Sequence, residues 1–247
     1  MLDFHGIDKR FGEQVVLRRL SLTIPAAQVT FLVGQSGAGK SVLARMAVGL
    51  EHPDAGRVVL GDEDLTRLDA AGWRRARRRC QLVLQQSALL DGLSALENVV
   101  LPLRRCLGLA HSAAVRRATE LLELLHAAHA ATQLPENMSA ALRKQVAMAR
   151  ALALEPQVLL YDEPTSGLDP VTARRIDGVI RDLAERTHLT TLVVSHDLRS
   201  LAAVADRVAF LHEGAVHFVG TPAELFASRD AAVQAFVGAA RPHTTLY

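Results

Sequence analysis

Val29-Thr30-Phe31-Leu32-Val33, followed at once by Gly34-Gln35-Ser36-Gly37-Ala38-Gly39-Lys40-Ser41, is the stretch on which the fold turns. An unbroken apolar and β-branched run reads as a strand buried on both faces. Gly34 ends it in a glycine-rich turn. From Ser41 onward, Leu43, Ala44, Ala47 and Val48 recur at helical spacing. Strand, turn and helix in that order open a parallel α/β sheet. The octet Gly34–Ser41 also fits the phosphate-binding loop pattern in full. Its glycines let successive N–H groups turn inward around phosphate oxygens, and the helix start adds the positive end of a dipole. Gly34, Gln35, Ser36, Gly37, Ala38 and Gly39 are therefore candidate nucleotide-binding residues. Lys40 would reach the β- and γ-phosphates, and the Ser41 hydroxyl would hold Mg²⁺.

Further strands are legible on either side. Val15–Ile24 and Gly56–Leu60 read as antiparallel strands flanking this unit. Val158–Tyr161, Thr190–Val194 and Val208–Leu211 read as buried strands. Ile176, Val179, Ile180 and Leu183 mark a helix, with Asp169 as its N-cap and Pro170 at its first position. The stretch from about Ala88 to Glu155 is rich in Ala and Leu. It carries Val115, Ala118, Leu122 and Leu125 at helical spacing, punctuated by Pro102 and Pro135. It reads as a helical insertion between sheet strands. No repeat or linker divides the chain, so one domain is expected over 1–247.

Composition narrows the classes. The 247 residues include 49% hydrophobic ones, and 28 Lys+Arg stand against 26 Asp+Glu, a net charge of +2. Disordered, collagen-like and disulfide-scaffold chains are excluded. No apolar run approaches the roughly 18 residues that span a bilayer. The start, Met1-Leu2-Asp3-Phe4-His5, lacks the pattern of a signal peptide. Cys80 and Cys106 match no metal spacing and suit a reducing compartment. A cytosolic protein is expected, with any membrane role exerted through a partner. The near-neutral charge argues against a dedicated nucleic-acid binder. The Arg74–Arg79 cluster reads as a solvated helix face or, in the minority case, a nucleic-acid patch. Lysine occurs only at positions 9, 40 and 144, which makes each one noticeable.

Two acids close the Val158–Tyr161 strand. Asp162 would hold Mg²⁺ through water and Glu163 would polarise an attacking water. His196 lies just past the Thr190–Val194 strand. The strand ends after Val33, Tyr161 and Val194 can converge on one crevice, because ligands bind at the carboxyl ends of such strands. His196 is thereby a candidate γ-phosphate contact.

On these motifs the chain resembles the ATP-binding subunit of ABC transporters over nearly its whole length. The resemblance implies a P-loop NTPase of ABC ATPase type. Its α/β fold has a mainly parallel sheet core, an antiparallel β subdomain and a helical subdomain near 88–155. Gln85 resembles the family's Q-loop glutamine, which contacts Mg²⁺ and the attacking water, with Gln86 as a competing neighbour. Ser166-Gly167-Leu168-Asp169 resembles the D-loop. Phe11 stands where the family places an aromatic residue on adenine, although a bare sequence would make it ordinary core. Ser87–Leu93, Glu97–Arg104, Asp169–Thr172 and Gly220–Phe236 resemble the phospholipid-transporting MCE/Mla-type branch. Amino-acid importers and lipoprotein-release ATPases share pieces of them.

One segment departs from the family. Its signature, Leu-Ser-Gly-Gly-Gln or close to it, is here Met138-Ser139-Ala140-Ala141-Leu142. Ser139 can still cap a helix, and Ser139 and Asp169 are carried over as nucleotide-contacting residues. Ala140 and Ala141 add Cβ atoms where glycine allows close approach, and alanine resists positive φ. In the family this segment closes over ATP held by a second subunit, so the departure bears on turnover rather than on binding. The implied function is ATP hydrolysis that energises a transporter, with phospholipid as cargo. The alternatives are an importer of amino acids or other small solutes, or a nucleotide-binding regulatory subunit with weak hydrolysis. Implied partners are a second copy, a membrane permease and an MCE-domain lipid-binding protein, but no nucleic acid. The implied place is the cytoplasmic face of the inner membrane, held there by the permease.

Overall fold

The structure, a computed structural model, describes residues 1–240. In chain order the elements are β1 (Leu2–Phe11), β2 (Gln14–Ile24), β3 (Val29–Gly34), α1 (Lys40–Ala47), β4 (Ala55–Leu60) and β5 (Glu63–Asp64). Then come α2 (Ala70–Arg79), β6 (Cys80–Val83), α3 (Ala95–Arg105), α4 (His111–Leu124), α5 (Ala140–Leu152) and β7 (Val158–Asp162). The chain continues with α6 (Pro170–Thr187), β8 (Thr190–Val194), α7 (Leu198–Val204), β9 (Arg207–His212), β10 (Ala215–Gly220), α8 (Pro222–Ala227) and α9 (Ala231–Ala240).

Two sheets form. The larger has the order β10-β9-β3-β8-β7-β6, and the smaller the order β2-β1-β4-β5. In the larger sheet β9, β3, β8, β7 and β6 run parallel, and only β10 is antiparallel. All pairs of the smaller sheet are antiparallel. The apolar runs of the parallel strands are explained by their two faces. Phe31, Val33, Leu159, Tyr161, Val193 and Phe210 pack into a core shared with α3–α7. Leu32, Leu160, Leu192, Val194 and Leu211 point the other way, into a core shared with α1 and the antiparallel sheet. Period-two alternation between two buried faces leaves these strands mainly apolar, with the buried threonines Thr30, Thr190 and Thr191 as polar exceptions in β3 and β8.

The helices α3, α4 and α5 lie between β6 and β7 in the chain. Ser94 and Glu97 form a reciprocal capping box that starts α3. Pro102 does not interrupt this region as its residue type suggests; it sits inside α3. Its missing N–H removes one helical bond, at about 3 kcal/mol in a helix interior. The buried stripe Val99, Val100 and Leu103 carries the helix through it. In α2, Arg74, Arg75 and Arg78 are exposed, while Arg77 donates to the carbonyls of Val48 and Gly49. Arg79 pairs with Glu63 at 2.7 Å. The cluster is thus part solvated face and part structural anchor. Among the described residues no helix is long and apolar enough to cross a membrane.

Candidate functional site

The site begins where β3 ends. Gly34 has φ 152°, and a Cβ there would lie 2.3 Å from the backbone oxygen of Leu211. Only glycine permits β3 to lie this close to β9 at that point. Gly39 has φ 99° and caps α1 without a side-chain hydrogen bond. The first amide that bonds back along α1 is that of Leu43, to Gly39 O at 3.1 Å. The N–H groups before it are the unpaired donors of a helix N-terminus, suited to an anion.

Lys40 is buried, and its ammonium donates to the carbonyls of Gly34 and Gln35 at 2.8 Å each. Burial pushes its pKa down, opposed by the nearby charges of Glu163 and Asp162. Ser41 Oγ donates to Asp162 Oδ1 at 2.7 Å. This contact joins the first turn of α1 to the end of β7, and Asp162 is 4% exposed.

Glu163 follows with φ 51°, a left-handed conformation that costs a non-glycine residue on the order of 1 kcal/mol. Its N–H bonds to Val194 O at 2.9 Å, and its carbonyl accepts from Ser166 N at 3.3 Å. The turn aims its side chain at His196, whose Nδ1 lies 2.9 Å from Glu163 Oε1. The His196 side chain is 66% exposed and that of Glu163 is 15% exposed. The carboxylate is sheltered, and the imidazole between it and solvent is free to meet a ligand.

One cleft of about 450 Å³ is lined by Phe11, Ser36–Ser41, Gln85, Glu163, Ser166 and His196. Apart from Phe11, which ends β1 in the smaller sheet, these residues follow the carboxyl ends of β3, β6, β7 and β8, where open α/β sheets bind ligands. Gln85 lines the cleft and Gln86 does not. Gln85 Nε2 donates to Ser166 Oγ at 3.3 Å. Phe11 is 45% exposed at the cleft, with Lys9 Nζ 5.0 Å from its ring centroid, so it is not a core residue. Ser166 and Val16 also line the cleft, although their sequence context assigns them no individual role. The alternation of β2 is the one signal that could have placed Val16. Nothing in the sequence announces that Glu163 and His196 bond to each other.

Ser139 and Asp169 are not in this cleft. They line a second cavity, of about 730 Å³, with Ala140, Ala141, Gln145 and Arg175. Ser139 caps α5, accepting from Leu142 N at 3.2 Å. Asp169 caps α6, accepting from Val171 N and Thr172 N, and the Thr172 bonds hold its carboxyl below the usual range. Ala140 and Ala141 are helical, and neither has positive φ. The expected backbone strain at these two alanines is therefore absent. Their helical dihedrals suit alanine better than glycine, and only the added methyl groups distinguish this face from a glycine one.

The phosphate-binding loop with Gln85, Glu163 and His196 around one cleft, and Asp162 bonded to Ser41 of that loop, define a nucleotide-binding cassette. Residues 17–166 match the family model described as ABC transporter. The chain belongs to the ABC transporter family and carries its ATP-binding domain. It is 40% identical over 223 residues to the Fe(3+) ions import ATP-binding protein FbpC of Agrobacterium fabrum, across 90% of this chain and 62% of that protein. It is 35% identical over 233 residues to the methionine import ATP-binding protein MetN of Brucella abortus, across 94% and 63% respectively. The chain thus spans less than two thirds of the length of these relatives. Their names give the phospholipid branch no support. A dimeric structure of a bacterial ABC transporter cassette superposes with TM-score 0.81 at 29% identity, covering 90% of this chain and 99% of that one. A second dimeric structure of that cassette, in a post-hydrolysis state bound to ADP and Pi, gives 0.79 at the same identity and coverage.

Proposed function

We propose that this chain binds MgATP in the Lys40 cleft and hydrolyses it as a dimer, energising an ABC importer of a small solute. The observation that carries the reading is the convergence of Ser36–Ser41, Gln85, Glu163 and His196 on one cleft. Loop amides and Lys40 neutralise the phosphates. Phe11 offers its face to the base. Glu163 accepts the proton of the attacking water, and His196, oriented by Glu163, meets the γ-phosphate. Gln85, whose amide bonds to Ser166 at the edge of the Glu163 turn, orients the water.

Ser41 and Asp162 set a hydroxyl and a carboxylate 2.7 Å apart, an all-oxygen pair that fits a hard cation such as Mg²⁺. These two residues would hold it, directly or through water, with Gln85 nearby. The ion neutralises charge on the phosphate oxygens when bound. The face bearing Ser139 and Asp169 serves the nucleotide of a second copy, as a dimeric arrangement requires. The chain works at the cytoplasmic face of the inner membrane, peripheral through its permease. The described residues, 1–240, would act as a single cassette with helices near 88–155 inserted in the nucleotide-binding core.

Small-solute import takes precedence because relatives named for import of Fe³⁺ and methionine align over nine tenths of the chain. The phospholipid reading, with its MCE-domain partner, rests on the segments Ser87–Leu93, Glu97–Arg104, Asp169–Thr172 and Gly220–Phe236. Inner-membrane vesicles from cells with and without the chain, supplied with MgATP, separate them. We expect ATP-dependent movement of Fe³⁺ or methionine to be lost with the chain while phospholipid exchange is kept. Loss of phospholipid exchange alone would reverse the order. Loss of no transport would leave a regulatory subunit.

A further inference from the structure

Lys144 is one of three lysines in the chain and is 4% exposed. The one hydrogen bond found for its ammonium among the described residues goes to the carbonyl of Gln85, at 3.0 Å. Less than two turns further along α5, Arg150 donates to Ala88 O at 2.8 Å and to Ser87 O at 3.3 Å. The segment these cations hold is unusual. Ser87 and Ala88 have φ 58° and 44°, two consecutive non-glycine residues in the left-handed region. That conformation is unfavourable for residues that carry a Cβ and needs external support. Local turns from Ser87 N to Leu84 O at 2.9 Å and from Ala88 N to Gln86 O at 2.6 Å supply part of it. The remainder comes from α5.

Burial alone does not account for these side chains. Desolvation lowers the pKa of both Lys144 and Arg150, so each is kept against a cost. The charge of Glu163 opposes that shift at Lys144. A methionine would fill the Lys144 space without it. What the cations supply is direction, since each fixes carbonyl oxygens of a short, strained loop.

We infer that Lys144 and Arg150 form a two-point clamp through which α5 sets the backbone of Gln85–Ala88, making both of them positioning residues for the Gln85 side chain. The inference rests on the proposed reading of the cleft as a MgATP site. It has a mechanical consequence. The N-terminus of α5 carries Ser139, Ala140 and Ala141 into the second cavity, and its body holds the loop that lines the first. Any displacement of α5 at the second cavity is delivered to Gln85.

A nitroxide spin label at Gln86→Cys, in a Cys106→Ser background, reads the loop directly; Gln86 is exposed and the remaining Cys80 is buried. We expect Lys144→Met to raise label mobility, to leave the Kd for MgATP within about twofold, and to lower kcat roughly ten- to a hundredfold. Arg150→Met should loosen the label likewise, and Arg150→Lys, which keeps a donor, should restore part of the order. An unchanged spectrum in both methionine variants overturns the clamp, as does a fall in ATP affinity that matches the fall in kcat. Should Lys144→Met fail to fold, the two Arg150 variants decide between the same outcomes. If the unsubstituted chain does not bind MgATP, the reading of the cleft fails, yet the label still tests the clamp. If it binds and the label is indifferent to the variants, the clamp alone fails.

Discussion

The Lys40 cleft is assembled mainly at the ends of four parallel strands, whereas the Ser139 cavity is assembled from the start of α5, one side of α6 and the segment after α4. In the cleft the register of β3, β6, β7 and β8 fixes distances between residues remote in sequence, as in the 2.7 Å Ser41–Asp162 contact. The cleft residues also bond to each other, Glu163 to His196 and Gln85 to Ser166. In the cavity, by contrast, the bonds found among the described residues for the Ser139 and Asp169 side chains stay within the first turn of the helix each one caps. Ser139 and Ala140 stand exposed. The difference teaches that the cleft residues hold one another in place across the sheet, while each cap of the cavity is held only within its own helix.

Glu163→Gln breaks the cleft at its most demanding point. Removing the proposed general base should slow hydrolysis by about 10²- to 10⁴-fold while ATP stays bound. Single-turnover kinetics measures the rate, and gel filtration with ATP should show a dimer that persists because its nucleotide is not consumed. A full rate in this variant would mean another group activates the water. Lys40→Ala acts on binding instead. Losing a charge-assisted contact to phosphate costs about 3 kcal/mol, roughly a hundredfold in Kd. Calorimetry that finds unchanged affinity would remove the cleft from the nucleotide site.

Ala140→Gly/Ala141→Gly probes the cavity and should spare the cleft. We expect ATP affinity of the single chain to hold and dimer-dependent hydrolysis to rise several-fold as two methyl groups leave the interface. Glycine weakens a helix by up to about 1 kcal/mol per site, so the thermal midpoint should fall slightly. Equal hydrolysis rates would show that the alanine methyls are already accommodated.

The smallest effect concerns α6, which links the two regions. It starts at Asp169 in the cavity and packs on α7, which begins just after His196. Buried on α6, Asp177 accepts from Ser200 Oγ of α7 at 2.8 Å. Desolvation pushes its pKa up from 3.8 to about 6, partly offset by the Ser200 bond. The folded value lies above the unfolded one, so this group's contribution to stability is full below about pH 4 and is lost as pH rises through about 6. Asp177→Asn should therefore raise the melting temperature at pH 8 by a few degrees, about 1 kcal/mol. The gain should vanish below about pH 4. A gain independent of pH would trace the effect to packing rather than to charge.

Much of this was legible in the chain. Val29–Ser41 states strand, loop and helix in one run, because each piece depends on neighbours in sequence. The buried strands ending at Asp162 and Val194 were equally plain. Pro102 misled because its local penalty is outweighed by the apolar stripe of α3, which only packing reveals. Phe11 stood open between core and cleft, since its exposure depends on where β1 ends relative to the loop. Lys144 could be noticed as a rare lysine but not understood, because its partner lies on a different element.

The sequence by itself determined the elements that local chemistry specifies: apolar runs for the parallel strands, glycines for the loop, Ser139 and Asp169 as caps. It also determined that two carboxylates would stand at the end of β7. Tertiary structure decided which of these residues meet. Strand order brings β3 beside β8 and β8 beside β7. Ser41, Glu163 and His196 thereby line one cleft, with Asp162 bonded to Ser41, and α5 lies where two cations can hold the Gln85 loop. Such contacts join residues far apart along the chain, and their distances follow from packing the two buried faces of one sheet, which no local pattern encodes.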